Sequence, residues 1–118
     1  MKVYLGPYRK NRAINVRIDK YDTWGLDHTL ALIILPALKQ YKKVHQSSPC
    51  IDGFYDEKTG NMLPEVHEAW NSIVDKMIWS FEAILAEDEK EELYTVQENN
   101  QIQEGLDLFG KYYRNLWD

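Results

Sequence analysis

Apolar positions recur along this chain with several spacings, and each spacing predicts a different element. Val3-Tyr4-Leu5 is a short β-prone stretch closed by Gly6-Pro7, and Ile14, Val16 and Ile18 then alternate with Asn15, Arg17 and Asp19 at the strand period of two. With only the polar segment from Gly6 to Ala13 between them, the two stretches predict an antiparallel hairpin. A lone two-stranded ribbon is marginal in water, so Ile14, Val16 and Ile18 are expected to face the helices. Residues 30–38 read LALIILPAL, nine positions without a charge, between Asp27-His28 and the lysines Lys39, Lys42 and Lys43. This run predicts a helix buried on nearly every side, around which the rest of the domain is organised. Asp22 or Thr23 can accept a hydrogen bond from first-turn amides, so the helix is expected to start there and to reach about His45. Pro36 removes one backbone hydrogen bond inside it and predicts a kink, with the carbonyl near Leu32 re-satisfied locally.

The connection from Gln46 to Leu63 carries Ser47, Ser48, Pro49, Gly53 and Gly60 and is expected to be irregular. Inside it, Phe54-Tyr55-Asp56 and Asn61-Met62-Leu63 flank Glu57-Lys58-Thr59-Gly60, the pattern of a small hairpin with its glycine in the left-handed region. The alternating oxygen ligands and closing glutamate of a calcium loop are missing. A second helix is expected from Pro64 to about Ala86, with Val66, Trp70, Ile73, Met77, Phe81 and Ile84 at three-and-four spacing, broadened by Val74, Ile78 and Leu85. A third, from about Glu91 or Leu93 to Leu116, repeats the rhythm in Ile102, Leu106, Phe109, Tyr113 and Leu116. Gly105 and Gly110 inside it each cost about 1 kcal/mol relative to alanine, which points to close approach by another backbone. The class predicted is α+β: a three-helix core with an N-terminal two-stranded β-hairpin.

The length of 118 residues fits one domain over 1–118, and an apolar fraction of 44% with 28% charge fits a folded chain rather than a disordered one. A single cysteine, Cys50, leaves no internal disulfide and no cysteine cluster for zinc, so a reducing compartment is expected. The opening MKVYLGPYRK lacks the apolar stretch of a secretory signal, and LALIILPAL is far short of the roughly 20 residues that span a bilayer. No membrane association is expected. The net charge of −5 argues against general nucleic-acid binding. Its distribution is uneven. Residues 1–20 hold Lys2, Arg9, Lys10, Arg12, Arg17 and Lys20 against Asp19 alone, a net of +5, so the remainder carries −10, most densely at Glu87-Asp88-Glu89-Lys90-Glu91-Glu92.

Asp22, Asp27 and His28 stand at the entrance to the first helix. Acids there cap a helix and meet its positive end, and the alternative is a polar pocket in which Asp27 orients His28. Glu68, Asp75 and Glu82 recur every seven residues on the second helix and, with His28 or His67, could hold a divalent cation, although a charge row on a helix is usually a solvated face. Cys50 has no base paired with it in sequence, and neither a phosphate-binding loop nor a dinucleotide fingerprint is present. No catalytic residue, metal site or cofactor is expected. Trp79, Tyr112 and Trp117 lie off the main apolar stripes and, with Lys111 and Arg114, have the composition of a protein interface.

The junction Ile18-Asp19-Lys20-Tyr21-Asp22-Thr23-Trp24, the Asp27-His28-Thr29-Leu30-Ala31 helix and the ending from Gly105 to Asp118, including Leu108-Phe109-Gly110-Lys111-Tyr112, resemble a group of small proteins of tailed bacteriophages. The similarity extends to parts of the second helix and departs at the N-terminus, where some relatives carry a longer link between the strands. It implies a viral accessory role in the host cytoplasm, in host takeover or counter-defence, and supplies no catalytic residues. The leading expectation is therefore a non-enzymatic protein that binds a host protein or a small anionic ligand. One alternative is sequestration of a nucleotide-like signal, with phosphates on Arg9, Lys10, Arg12 and Arg17, a base on Tyr8, Tyr21 or Trp24, and Asp27 with His28 nearby. The other is a metal-dependent hydrolase using Asp27, His28, Asp75 and Glu82. Self-association to a homo-oligomer would bury more of the aromatic surface, with no symmetry indicated.

Overall fold

Val66–Ala86 form the longest helix, α2, and its apolar row Val66, Trp70, Val74, Met77 and Phe81 makes the spine of the core. The computed structural model describes residues 1–117. Ahead of α2 come β1 (Lys2–Leu5), β2 (Ile14–Arg17), a 3-10 turn (Lys20–Thr23), α1 (Leu26–Val44), β3 (Tyr55–Asp56) and β4 (Asn61–Met62). After it come a 3-10 turn (Glu87–Glu89), α3 (Val96–Tyr112) and a last 3-10 turn (Tyr113–Asn115). The strands form two separate antiparallel pairs, β1 with β2 and β3 with β4, so the class is α+β with three packed helices and an N-terminal hairpin.

α2 lies between the other two helices and runs antiparallel to both. Against α1, Lys39 pairs with Glu82 at 3.4 Å and Lys42 pairs with Asp75. Against α3, Lys76 pairs with Glu104 at 2.8 Å, and Ser80 Oγ donates to the Ile102 carbonyl at 2.9 Å. Exposed ion pairs contribute at most about 1 kcal/mol each, so they mark register rather than hold the helices together. Burial does that. Trp70, Val74 and Met77 are wholly enclosed, and truncating a buried tryptophan costs about 3–5 kcal/mol. Trp70 also joins all three helices. Its Nε1 donates to Tyr41 Oη of α1 at 3.1 Å, and Tyr112 of α3 meets its ring edge to face at 5.5 Å.

Two expectations are corrected. α1 is not the central helix: Ala31 and Leu38 are buried, but Leu30, Leu32 and Ile33 are exposed, Leu32 to 64%. One neighbouring helix covers one strip of α1, and an uncharged run cannot reveal how many neighbours a helix has. Nor does the N-terminal hairpin lay its apolar side on the bundle: Val16 and Ile18 are exposed, and Ile14 is 69% exposed. Helix ends also move inward. α1 begins at Leu26 because a 3-10 turn precedes it, α2 begins at Val66 rather than Pro64, and α3 begins at Val96. Thr95 caps α3 by accepting from the Glu98 amide at 3.1 Å, while Glu98 Oε1 accepts from the Thr95 amide at 3.1 Å, a capping box. The small hairpin forms as read, with Gly60 at φ +74°.

Of the two glycines in α3, only Gly105 touches its neighbour. A Cβ there would run into the Ser80 hydroxyl and the Lys76 carbonyl and come within 2.7 Å of Ser80 Cβ, whereas one at Gly110 would meet nothing within 4 Å. Gly105→Ala is expected to lower stability by at least about 2 kcal/mol through overpacking. Gly110→Ala is expected to raise it by up to about 1 kcal/mol. Urea unfolding of the two variants measures both, and equal effects would contradict the packing described.

Candidate functional site

The residues from Asp19 to Thr29 determine how the N-terminal hairpin leaves the bundle. Asp22 is only 8% exposed. Its Oδ2 accepts from the Asp19 amide at 2.8 Å and lies 2.9 Å from the Met1 amino group, so one carboxylate ties the start of β1 and the end of β2 to the 3-10 turn. The Met1 ammonium first, then the Asp19 amide, hold this carboxyl below the usual carboxylate range. Thr29 Oγ1, in the first turn of α1, donates to the Asp22 carbonyl at 2.9 Å and fastens the turn to the helix. The structural reading of Asp22 is thus the one the geometry supports, although it organises the 3-10 turn and Gly25 occupies the cap of α1. Tyr21 Oη donates to Asp19 Oδ2 at 2.9 Å, and that carboxylate raises the phenol above its ordinary pKa. The Tyr21 ring meets Trp24 edge to face at 6.4 Å, with Trp24 83% exposed.

From this base the hairpin projects as an arm. Lys2 pairs with Arg17, Val3 with Val16, Tyr4 with Asn15 and Leu5 with Ile14. Alternation along paired strands therefore gives one face of Val3, Leu5, Ile14 and Val16 and another of Lys2, Tyr4, Asn15 and Arg17. The polar face borders an open concavity of about 530 Å³. At its edge with α1, the apolar face meets a concave corner of about 380 Å³ lined by Met1, Val3, Asp22, Thr29, Leu32 and Ile33. At the tip, Arg12 Nε donates to the Gly6 carbonyl at 2.8 Å and its guanidinium sits 5.6 Å from the centre of the Tyr8 ring, itself 93% exposed. Among the described residues, none of Lys2, Arg9, Lys10, Arg12, Arg17 and Lys20 has a carboxylate within ion-pair distance.

The expected ligand set is therefore distributed along the arm rather than gathered in one pocket. Arg9 and Lys10 are at the tip, Arg12 is folded back, Arg17 is on the polar face, Tyr21 and Trp24 are at the base, and Asp27 and His28 are in the first turn of α1. The four proposed metal ligands do not converge either, although Asp27 and His28 stay together. His28 lies 3.5 Å from Asp88 and 3.8 Å from Asp27, while Asp75 and Glu82 face lysines of α1. Among the described residues no three His, Cys, Asp or Glu side chains are placed to hold a metal ion.

The expected interface residues divide between the two ends of α3. Trp79 is half-buried beside Lys90 and Tyr94, whereas Arg114 and Trp117 are exposed beyond the other end. Tyr112, expected at the surface, is instead buried against Trp70, with Lys111 Nζ 5.2 Å from the centre of its ring. Gly105 contributes no side chain to the α3 stripe, so the apolar pattern favoured Tyr113 over the Gly105–Tyr112 line that the helix buries. Two features escaped sequence reasoning. An apolar groove of about 260 Å³ runs between α1 and α3, bordered by Ile33, Ala37, Tyr41, Phe109, Tyr113 and Leu116. Ser48 Oγ and His67 Nδ1 lie 2.7 Å apart, a pairing across 19 positions that no local spacing signals.

Because the Asp22 carboxyl has its pKa lowered by folding, its contribution is complete above the unfolded value near 4 and is lost as pH falls through the lower, folded value. Glu98, lowered by the Thr95 amide and then by Lys90, acts in the same sense on α3. A carboxyl-carbon NMR titration is expected to place the Asp22 midpoint below that of an ordinary aspartate, with Asp19 amide protection falling in step. An ordinary midpoint would contradict the anchor. No family model, curated protein or solved structure matches this chain.

Proposed function

We propose that this chain is a binding protein, a phage accessory factor that acts on its host by stoichiometric contact rather than turnover. The observation that carries the reading is the chemistry presented by the arm and its base. Tyr4 is exposed beside Lys2 and Arg17, cations without acidic partners among the described residues, and Tyr21 and Trp24 are exposed at the base of the arm. Aromatic rings with arginine are the composition of energetic centres in protein interfaces, and an uncompensated basic strip steers an acidic partner. The host target of this reading is accordingly a protein with an acidic surface, engaged in takeover or counter-defence. No helix among the described residues is long and apolar enough to cross a membrane.

A second reading, capture of a small anionic or nucleotide-like ligand, is favoured by one feature. Lys2 and Arg17 sit directly opposite each other across the strands with Tyr4 beside them, an arrangement whose like-charge cost an anion would relieve. The metal-dependent hydrolase receives no support from the geometry, since Asp27 lies against His28 while Asp75 and Glu82 pair with lysines of α1.

Chemical cross-linking in host lysate tests the leading reading. The native chain is expected to capture a defined host protein through Lys2 or Lys20, and Tyr21→Ala with Trp24→Ala is expected to reduce capture about tenfold or more, as loss of interface aromatics does. Equal capture by the double variant would overturn it. Nucleoside phosphates that raise the melting temperature of the native chain, but not of Lys2→Ala with Arg17→Ala, would favour the second reading instead.

A further inference from the structure

We infer that the apolar face of the N-terminal arm is covered by the same face of a second copy of this chain, the two arms stacking antiparallel about a twofold axis. Three observations carry this. The first is the face itself. Val3, Leu5, Ile14 and Val16 are all exposed, and a two-stranded ribbon needs a packed face to be stable. Its own helices do not supply one.

The second is area. The accessible surface is 9179 Å², against about 6,700 Å² for a compact monomer of this mass. The excess, about 2,500 Å², belongs to the whole molecule rather than to the arm alone, and it exceeds the roughly 800 Å² that each partner gives to a standard interface. The radius of gyration says the same: 17.2 Å where a compact chain of this length has about 13.5 Å. Val3 lines the corner at the arm's base together with the exposed Leu32 and Ile33 of α1, so a second arm has a surface to lie in.

The third is charge, which specifies the orientation. Arg9 and Lys10 lie at the tip, without acidic partners among the described residues. At the base, His28 brings Asp88 within 3.5 Å, so the acidic turn Glu87–Glu89 stands beside the first turn of α1, where the arm departs. Stacking the arms tip to tip would set four cations together. Stacking them tip to base puts Arg9 and Lys10 of each copy near the acidic turn of the other, and such self-complementarity is what a twofold interface requires. The polar face, with Lys2, Tyr4 and Arg17, stays outward in this assembly, so the inference does not depend on the host-binding reading.

Sedimentation equilibrium of the full chain from 1 to about 100 μM tests it. The native protein is expected at twice the chain mass of 14.0 kDa. Val16→Asp with Ile14→Asp is expected to weaken the dimer about 100-fold or more by placing charge in the buried face. Its helical circular dichroism is expected to be unchanged, because both side chains lie outside the helical core. Arg9→Glu with Lys10→Glu is expected to weaken the dimer about tenfold at low salt, and adding Asp88→Lys with Glu87→Lys to the same chain is expected to restore it. A native monomer at 100 μM would overturn the inference, as would a dimer indifferent to Val16→Asp with Ile14→Asp. A monomer whose Tyr21→Ala, Trp24→Ala variant still loses host capture would sink the dimer and leave the binding reading standing.

Discussion

Everything in this molecule hangs on the enclosure of Trp70. It sits on the middle helix, where its ring meets those of Tyr41 and Tyr112 in T-shaped contacts and its one polar atom donates to a hydroxyl. A buried indole nitrogen without a partner would cost much of what the ring contributes, so Tyr41 is required as much for its oxygen as for its ring. At the other end of α2 the constraint is steric. Ser80 and Gly105 allow α3 to approach until a serine hydroxyl reaches a carbonyl of the facing helix. Between these two points Val74, Met77 and Phe81 fill the remaining space.

Because α2 satisfies its packing with a helix on each side, α1 has an outer surface, and the arm joined to its start adds to that surface instead of covering it. Asp22 makes the arrangement orderly. A carboxylate holding the chain's amino group and a strand-end amide fixes the arm's departure from the bundle, so its exposed residues are presented rather than left loose. The surface so presented has a basic, aromatic side and an aliphatic side, and the two sides suit different partners.

Local geometry was well represented in the sequence, and assembly was not. Period-two alternation located the strands, the glycine before Asn61 located the small hairpin, and the three-and-four stripe from Val66 to Phe81 identified the row that α2 buries. Gly105 signalled the close helix crossing through its cost in a helix interior. What failed was any inference requiring the number of neighbours. LALIILPAL has the same composition whether enclosed or half-open, and Tyr112 and Tyr113 are indistinguishable until the glycine line of α3 is known to face α2. For the candidate site, Tyr21, Trp24 and the basic residues were legible as a composition, but their spread along a projecting arm follows from strand register and the Asp22 anchor, which act at longer range.

Amide hydrogen exchange tests the central claim, that α2 and not α1 is the helix around which the chain folds. Amides from Trp70 to Phe81 are expected to exchange slowest in the molecule, through global unfolding, while those of Leu32, Ile33 and Ala37 on the outer side of α1 open at lower free energy. Slowest exchange across residues 30–38, with α2 opening first, would contradict this account.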